Sequence, residues 1–389
     1  MPTTDDDLRA GVEALRMGNA AHARDLFTRS LAAAKTPIPA LLGLVHACTV
    51  LRDRAGRAAA LDRLLQVDPR NVRGLILKAD DQAAAGDVRS ATSFYLAAIH
   101  AAPPADQLPP DLATEVRRAR EICDQYSAHY QQYIVDQLAV RGFDAAKSSA
   151  RFAQSVDIVL GRKKIFVQEP RYYYFPGLPQ IQFYGREPFP WLTTVENAAA
   201  DFREELLGVL NDPGAFAPYV QGDTNRPRKE QMGMLNNPAW SAFYLWKNGD
   251  IVEENAKRCP RTMAALRNVP LACVPNRSPS VLFSLLKPGA HIPPHNGLVN
   301  TRLICHVPLI VPGSCRLRVG NDTRVWKDGE AWLFDDTVEH EAWNDSDQTR
   351  VILLFDVWRP ELTVEERNLV TALFAAIDAH SGRKPEWSI

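Results

Sequence analysis

The sequence predicts an α+β protein of more than one domain, with an all-α half built from helical repeats ahead of a β-sandwich half. Up to about residue 140 an alanine-, leucine- and arginine-rich stretch places apolar side chains at helical spacing. Beyond about residue 280, short β-branched segments alternate with turns of glycine, proline and asparagine, the texture of a sandwich. The 389 residues, 46% hydrophobic and 23% charged, have the composition of a folded globular chain and the length for two or three domains.

Charge and leader signals narrow the setting. With 45 basic and 46 acidic residues the net charge is −1, which gives no reason to expect nucleic acid or an anionic membrane as partner. The start, Met1-Pro-Thr-Thr-Asp-Asp-Asp, is acidic and poor in apolar residues, and no uninterrupted apolar run reaches about 18 residues. A cytoplasmic location is therefore expected. The six cysteines (Cys48, Cys123, Cys259, Cys273, Cys305, Cys315) form no CxxC pair and read as reduced, mostly buried thiols.

The helical half, from Asp7 to about Leu138, repeats itself. Gly18-Asn19-Ala20-Ala21-His22-Ala23 returns 68 positions later as Gly86-Asp87-Val88-Arg89-Ser90-Ala91, and Pro69 and Pro103 lie 34 apart. A 34-residue period with a small residue in the turn, an alanine at the helix crossing and a proline after the second helix resembles tetratricopeptide repeats, about three of them. In the middle repeat the glycine is displaced to Gly56. Such an array serves either as a structural shield or as a concave surface for a protein partner. The expected division is a repeat domain over 1–140, a connector over 141–168 and a second domain over 169–389.

The second half opens with aromatic and proline clusters, Tyr172-Tyr173-Tyr174-Phe175-Pro176 and Phe189-Pro190-Trp191, which favour irregular packed structure. Helices are expected over Thr194–Leu210 and around Glu253–Arg267, the latter cut at Pro260. Strands are expected over Val281–Leu286, Arg302–Ile310, Cys315–Val319, Ala331–Phe334 and Arg350–Val357, a sandwich or jelly roll. Thr363-Val364-Glu365-Glu366 reads as a capping box before a helix whose apolar side is Leu369, Val370, Leu373, Phe374 and Ile377.

Four of the nine histidines, His291, His295, His306 and His340, fall within this strand-rich stretch. A sandwich brings strands distant in sequence side by side, so His295 and His340 can serve one ion. Two histidines 45 residues apart and an arginine 10 further on, Arg350, follow the order in which a double-stranded β-helix presents a non-haem Fe(II) site and a dicarboxylate anchor. The facial triad adds a carboxylate two residues after the first histidine, and here that position is Gly297. An arginine suits a buried dicarboxylate because its fork matches carboxylate geometry. Asp335, Asp336, Glu339 and Glu341 are candidates to orient the imidazoles.

The stretches Lys287 to Leu303, Trp326, Phe334 to Asn344 and Phe355 to Leu362 resemble the aspartyl/asparaginyl β-hydroxylase family, and the likeness runs from about Pro170 to Arg367. Family members are 2-oxoglutarate- and Fe(II)-dependent dioxygenases of jelly-roll fold, often with a tetratricopeptide-like segment ahead. The resemblance implies that His295 and His340 hold iron, that Arg350 and Ser284 hold the distal carboxylate of 2-oxoglutarate, and that His306 lies beside its chelating end. It implies that Arg302 contacts substrate, and that Gly297 is a family trait. A second basic position of the family is Ile304 here.

The expected activity is hydroxylation of a C–H bond with O2 and 2-oxoglutarate, giving succinate and carbon dioxide. The β-carbon of an aspartyl or asparaginyl residue in a peptide is one substrate; a free amino acid or small metabolite is the other that Ile304 allows. A halide in the Gly297 vacancy, giving a halogenase, and a non-enzymatic repeat scaffold are the alternatives of different kind.

Overall fold

The structure is a computed structural model and describes residues 4–33, 37–222 and 233–381. It falls into two compact units, Met1–Ala153 and Gln154–Ile389.

In the first unit, helices pair as hairpins because apolar faces of consecutive helices bury one another. These are α1 (Thr4–Arg16) with α2 (Ala20–Ala33), α3 (Ile38–Val50) with α4 (Arg54–Val67), and α5 (Val72–Ala84) with α6 (Val88–Ala101), followed by the long α7 (Pro110–Val140). Their small crossing residues are fully buried, including Ala23, Ala47, Ala79, Ala91 and Ala98. The hairpin turns need one residue in the left-handed region, which glycine enters without a Cβ clash. Gly18 (φ 76°) and Gly86 (φ 81°) fill it in the outer repeats, and midway between them Arg52 (φ 58°) does so in the middle one. The displaced Gly56 serves elsewhere: its N–H donates to Asp53, the cap of α4. Asn71 caps α5 through a 2.9 Å bond from the Gly74 N–H. Replacing a cap of this kind costs about 1 kcal/mol, so Asn71→Ala is expected to lower the unfolding free energy by that amount, read as a lower urea midpoint with the m value unchanged.

The second unit is a two-sheet antiparallel sandwich with helices on one side. After α8 (Ala150–Val159) and an irregular aromatic segment come α9 (Leu192–Asn197) and α10 (Ala199–Leu210). The helix expected over Thr194–Leu210 breaks at Ala198, and both Val195 before the break and Phe202 after it are fully buried. Next are β1 (Ala217–Pro218), β2 (Trp240–Lys247), β3 (Asp250–Ile251), α11 (Glu253–Ala256) and α12 (Pro260–Ala265). The remaining strands are β4 (Val281–Leu286), β5 (His291–His295), β6 (Arg302–Ile310), β7 (Cys315–Val319), β8 (Asp322–Val325), β9 (Trp332–Phe334), β10 (His340–Asn344) and β11 (Arg350–Trp358), and α13 (Val364–Ser381) follows. The larger sheet runs β1-β2-β4-β11-β6-β9 with β3 on β2; the smaller runs β5-β10-β7-β8.

The two faces of the larger sheet separate by the period of two along each strand. Val281, Phe283, Leu303, Cys305, Val307, Leu353, Phe355 and Val357 pack with Val195, Phe202, Leu206 and Val209 of α9 and α10. The alternate set, Trp240, Ala242, Leu282, Leu286, Ile304 and Leu354, faces Ile292, Leu317, Val319 and Ala342 of the smaller sheet. Arg350 and Asp356 belong by parity to this second set, so an otherwise apolar strand directs two charges into the gap between the sheets. The five strands expected from sequence are all present, with the one expected from Ala331 starting at Trp332.

At the end of the unit, Glu366 N–H donates to Thr363 Oγ1 and Thr363 N–H to Glu366 Oε2, the reciprocal pair of a capping box. On α13 Val370 and Phe374 are buried, while Leu369, Leu373 and Ile377 are exposed, a narrower apolar stripe than the sequence suggested. All six cysteines are free and only Cys273 is exposed. Among the described residues no helix is long and apolar enough to cross a membrane.

Candidate active site

His295 and His340 stand on two neighbouring strands, as expected, but the bounds of those strands, β5 and β10, were not legible: His291-Ile-Pro-Pro-His295 spends two of five residues on proline, and β10 is only five residues long. Their pairing decides the site. His340 lies directly opposite His295 in the antiparallel ladder, and the two ring centroids are 4.1 Å apart. Each Nδ1 lies near a backbone carbonyl, Pro293 O at 2.8 Å for His295 and Val338 O at 3.1 Å for His340. A carbonyl only accepts, so both Nδ1 atoms carry the proton and both Nε2 atoms keep their lone pairs. Burial lowers the pKa of His295 and takes that of His340 well below its ordinary value, the second imidazole adding to the effect on His340. Two neutral, oriented imidazoles side by side are of the donor type that suits a divalent transition metal.

A cavity of about 620 Å³ lies between the sheets and is lined by both histidines together with Ser284, Arg302, Ile304, His306, Asp336, Arg350 and Asp356. At one end Arg350 is 1% exposed and has no carboxylate partner among the described residues. Its Nη1 donates to Ser284 O at 3.2 Å, its Nε has no partner, and its guanidinium lies 4.9 Å over the Trp326 ring. Burial pushes its pKa down to about 10, so it stays cationic at neutral pH. Ser284 Oγ accepts from Trp240 Nε1 at 3.2 Å. His306, deeply buried, is held well below its usual pKa by burial and by Arg350, and its Nδ1 is unpaired. At this end of the cavity Arg350 Nε and His306 Nδ1 are thus buried nitrogens with no hydrogen-bond partner among the described residues, and the unpaired guanidinium nitrogen suits an anion.

Of the four carboxylates flanking the second histidine, the fold turns one toward the site. Asp335 is fully buried against Arg359 (2.8 Å) and accepts from Thr337. Glu339 and Glu341 face outward to Arg318, and Glu341 also meets His291 at 2.9 Å, which places His291 on the outer face of the smaller sheet. Asp336 lines the cavity, and a Cβ placed on Gly297 would run into the Asp336 carboxyl group. The Asp336 carboxyl therefore fills the space where the side chain of a triad carboxylate would begin. Burial, only partly offset by Arg302, pushes its pKa up to about 7, and its Oδ1 has no partner. Among the described residues no group of three histidine, cysteine, aspartate or glutamate side chains is arranged to hold a metal; the histidines form a two-donor set.

The opposite end of the cavity differs from expectation. Arg302 lines the cavity, but Asp356 (2.6 Å) and Asp336 (3.4 Å) already engage it. Burial alone would lower its pKa, yet those two carboxylates raise it. Ile304 sits opposite Asp356 in register. Tyr219 stacks on Trp240 at 4.1 Å and on Tyr244 at 6.3 Å, forming an aromatic wall that the sequence reading did not assign to the site. Its signal was present in the Trp240–Lys247 run of alternating aromatics, which reads as a strand once its register with β4 is known.

Residues 196–360 match the model of the aspartyl/asparaginyl β-hydroxylase family. The chain is 32% identical over 202 residues to the human aspartyl/asparaginyl β-hydroxylase, covering 49% of this chain and 25% of that protein. It is 34% identical over 187 residues to the ornithine lipid ester-linked acyl 2-hydroxylase of Rhizobium tropici, covering 47% of this chain and 62% of that one. It thus spans only a quarter to somewhat under two thirds of these relatives' lengths. The solved structure of PcrH from Pseudomonas aeruginosa aligns with 31% of this chain and 89% of its own, at 16% identity and a TM-score of 0.28.

Proposed function

Taking residues 196–360 as a domain of the aspartyl/asparaginyl β-hydroxylase family, we propose that the chain is a 2-oxoglutarate- and Fe(II)-dependent dioxygenase. In it a double-stranded β-helix carries the chemistry and tetratricopeptide-like repeats precede it. The balance is R–H, O2 and 2-oxoglutarate giving R–OH, succinate and CO2. The observation that carries the reading is the cavity's division of labour: two neutral imidazoles with free Nε2 atoms in its wall, and at its end a buried arginine without a carboxylate partner among the described residues.

The residues fit the groups they would hold. His295 and His340 would ligate Fe(II), with Asp336 rather than a residue at 297 bringing negative charge beside the remaining positions. Arg350, with Ser284 beside it, would take the distal carboxylate of 2-oxoglutarate, where a two-pronged guanidinium in a dry site binds strongly. His306, acted on by the Arg350 charge and itself acting on His340, would lie along the co-substrate between those two ends. Iron with 2-oxoglutarate supplies the oxidising power for C–H cleavage; the protein's part is to orient the donors, exclude water and place one carbon. The walls achieve the exclusion with Ile292, Leu317, Phe334, Ile352 and Leu354.

A peptidyl aspartyl or asparaginyl side chain is the substrate that the family suggests. Ile304 and the doubly engaged Arg302 favour a second reading, a substrate gripped without a free guanidinium, such as an amide side chain or an uncharged metabolite. The test is anaerobic titration with Fe(II) and 2-oxoglutarate, then admission of O2 and measurement of succinate. Binding of both followed by succinate release is expected; a protein that binds neither removes the enzyme reading and leaves the repeat scaffold. A search by mass spectrometry for products heavier by one oxygen, among peptides and metabolites retained by the protein, then identifies the substrate.

A further inference from the structure

At the Arg302 end of the cavity stand two phenols without a partner. Trp240, Ala242 and Tyr244 alternate along β2 on the face turned to the smaller sheet. Tyr219, just past β1, is fixed beside them by its N–H, which donates to the Trp240 carbonyl at 2.9 Å. The rings form one pile: Trp240 lies 6.0 Å from the His295 ring, Tyr219 stacks on Trp240, Tyr244 stacks on Tyr219, and Lys247 Nζ stands 5.1 Å over Tyr244. The ring faces are largely spent on one another, so the two tyrosines offer the cavity their edges and hydroxyls.

Both tyrosines line the cavity half-buried, and neither hydroxyl has a hydrogen-bond partner among the described residues. Burial raises the pKa of each, which keeps both protonated as donors at neutral pH. Arg302, Asp356 and Asp336 act on the Tyr219 hydroxyl, and Tyr219 and Asp356 act on that of Tyr244, so the two belong to one polar end. The strands around them are apolar there. Tyr244 pairs with Leu282 and Leu282 with Leu354, while Ile304 stands opposite Asp356.

Resting on the dioxygenase reading, we propose that Tyr219 and Tyr244 are specificity-determining residues. Their hydroxyls donate to the oxygen of a neutral carboxamide on the substrate, beside Arg302, where Ile304 supplies no second basic side chain. Donors left unpaired in a half-buried site are a cost until an acceptor arrives, and a few placed polar groups in an apolar cavity set orientation. Arg302 keeps the place beside the substrate that the sequence implies and brings the one positive charge, with Asp336 and Asp356 facing it. A substrate carboxylate would add a third negative charge against that guanidinium. A carboxamide adds none, takes the phenol hydrogens at its oxygen and returns N–H groups to nearby oxygens. Stacking holds both rings in place beforehand, so little side-chain freedom is lost when these bonds form.

The experiment uses the full chain loaded with Zn(II), which supports no turnover, and with 2-oxoglutarate. Calorimetry then follows three capped tripeptides, acetyl-Ala-Asn-Ala-amide and its counterparts with aspartate or leucine at the centre; leucine matches asparagine in shape without its oxygen. Wild type is expected to bind the asparagine peptide at least about ten-fold tighter than either other, because a site built to bond a polar group rejects an analogue that lacks it. Tyr219→Phe and Tyr244→Phe, which keep the ring pile, should each weaken the asparagine peptide by about 3- to 10-fold. The leucine peptide and 2-oxoglutarate should bind as to wild type.

A merely structural role would weaken the asparagine and leucine peptides alike, and that result would overturn the inference. So would unchanged asparagine-peptide binding in both folded variants, or a wild type that binds the aspartate or leucine peptide as tightly as the asparagine one. The wild-type comparison stands even where a variant does not fold. If wild type takes up neither Zn(II) nor 2-oxoglutarate, the dioxygenase reading falls and this inference with it. If it takes up both and binds none of the three peptides, only the inference falls.

Discussion

His340→Ala is expected to abolish iron loading and to reduce succinate release to below about 10⁻³ of wild type, a loss above about 4 kcal/mol of transition-state stabilisation. The proposed donor set consists of two imidazoles and no carboxylate at the third position, so removing one would leave a single nitrogen to hold the ion. Neighbouring side chains cannot replace it. His306 is directed beside Arg350, and His291 is committed to Glu341 on the outer face. Asp336 has a pKa pushed up to about 7 by burial, which makes it a poor sole substitute. The variant should remain folded, since His340 lines a cavity and its backbone ladder to β5 and β7 is independent of the imidazole. Anaerobic Fe(II) titration beside a thermal melt checks both points. Wild-type iron affinity in a folded His340→Ala protein would remove the histidine pair as the metal site.

Arg350→Ala is expected to separate the co-substrate from the metal. Truncating one side of a buried, hydrogen-bonded charge pair costs about 2–5 kcal/mol, so 2-oxoglutarate affinity should fall by roughly 10²-fold while Fe(II) affinity stays near wild type. The asymmetry follows from the cavity's layout. Arg350 begins β11 and the histidines stand on the other sheet, so removing its guanidinium disturbs no contact of either imidazole. Arg350→Lys should recover part of the loss, since it restores the charge without the fork. Equal losses of iron and 2-oxoglutarate would show that Arg350 supports the site as a whole rather than anchoring the co-substrate. The uncharged variant is also expected to fold at least as well as wild type, because an arginine desolvated without a carboxylate is a cost to the unliganded protein.

Much of this could be read before any fold was known, and the reasons differ by element. The helical repeats were legible because a 34-residue period restates the same turn requirement. The middle turn escaped notice because Arg52 adopts the left-handed conformation that glycine takes at 18 and 86. The apolar strands β4, β6 and β11 were legible from composition. The bounds of the strands bearing the histidines were not, since a proline-rich run and a short charged one carry weak local signals and are held by their neighbours. Likewise the break at Ala198 and the exposure of Leu369, Leu373 and Ile377 depend on what packs nearby.

By itself the sequence carried the order of the two units, the likeness of the second to the aspartyl/asparaginyl β-hydroxylase family, and the two histidines and the arginine as candidates, because residue type and spacing along a chain suffice for each. Only the tertiary structure decided how charges are partnered. Asp336 and Gly297 are 39 positions apart, and Arg302 and Asp356 are 54 apart, and no local pattern links either pair. Two sheets folding face to face put one carboxyl where another residue's side chain would begin, and leave Arg302 neutralised while Arg350 has no carboxylate partner among the described residues. Burial makes that difference consequential: a guanidinium already paired is structure, and a buried one without a carboxylate partner is the candidate anchor for a bound anion.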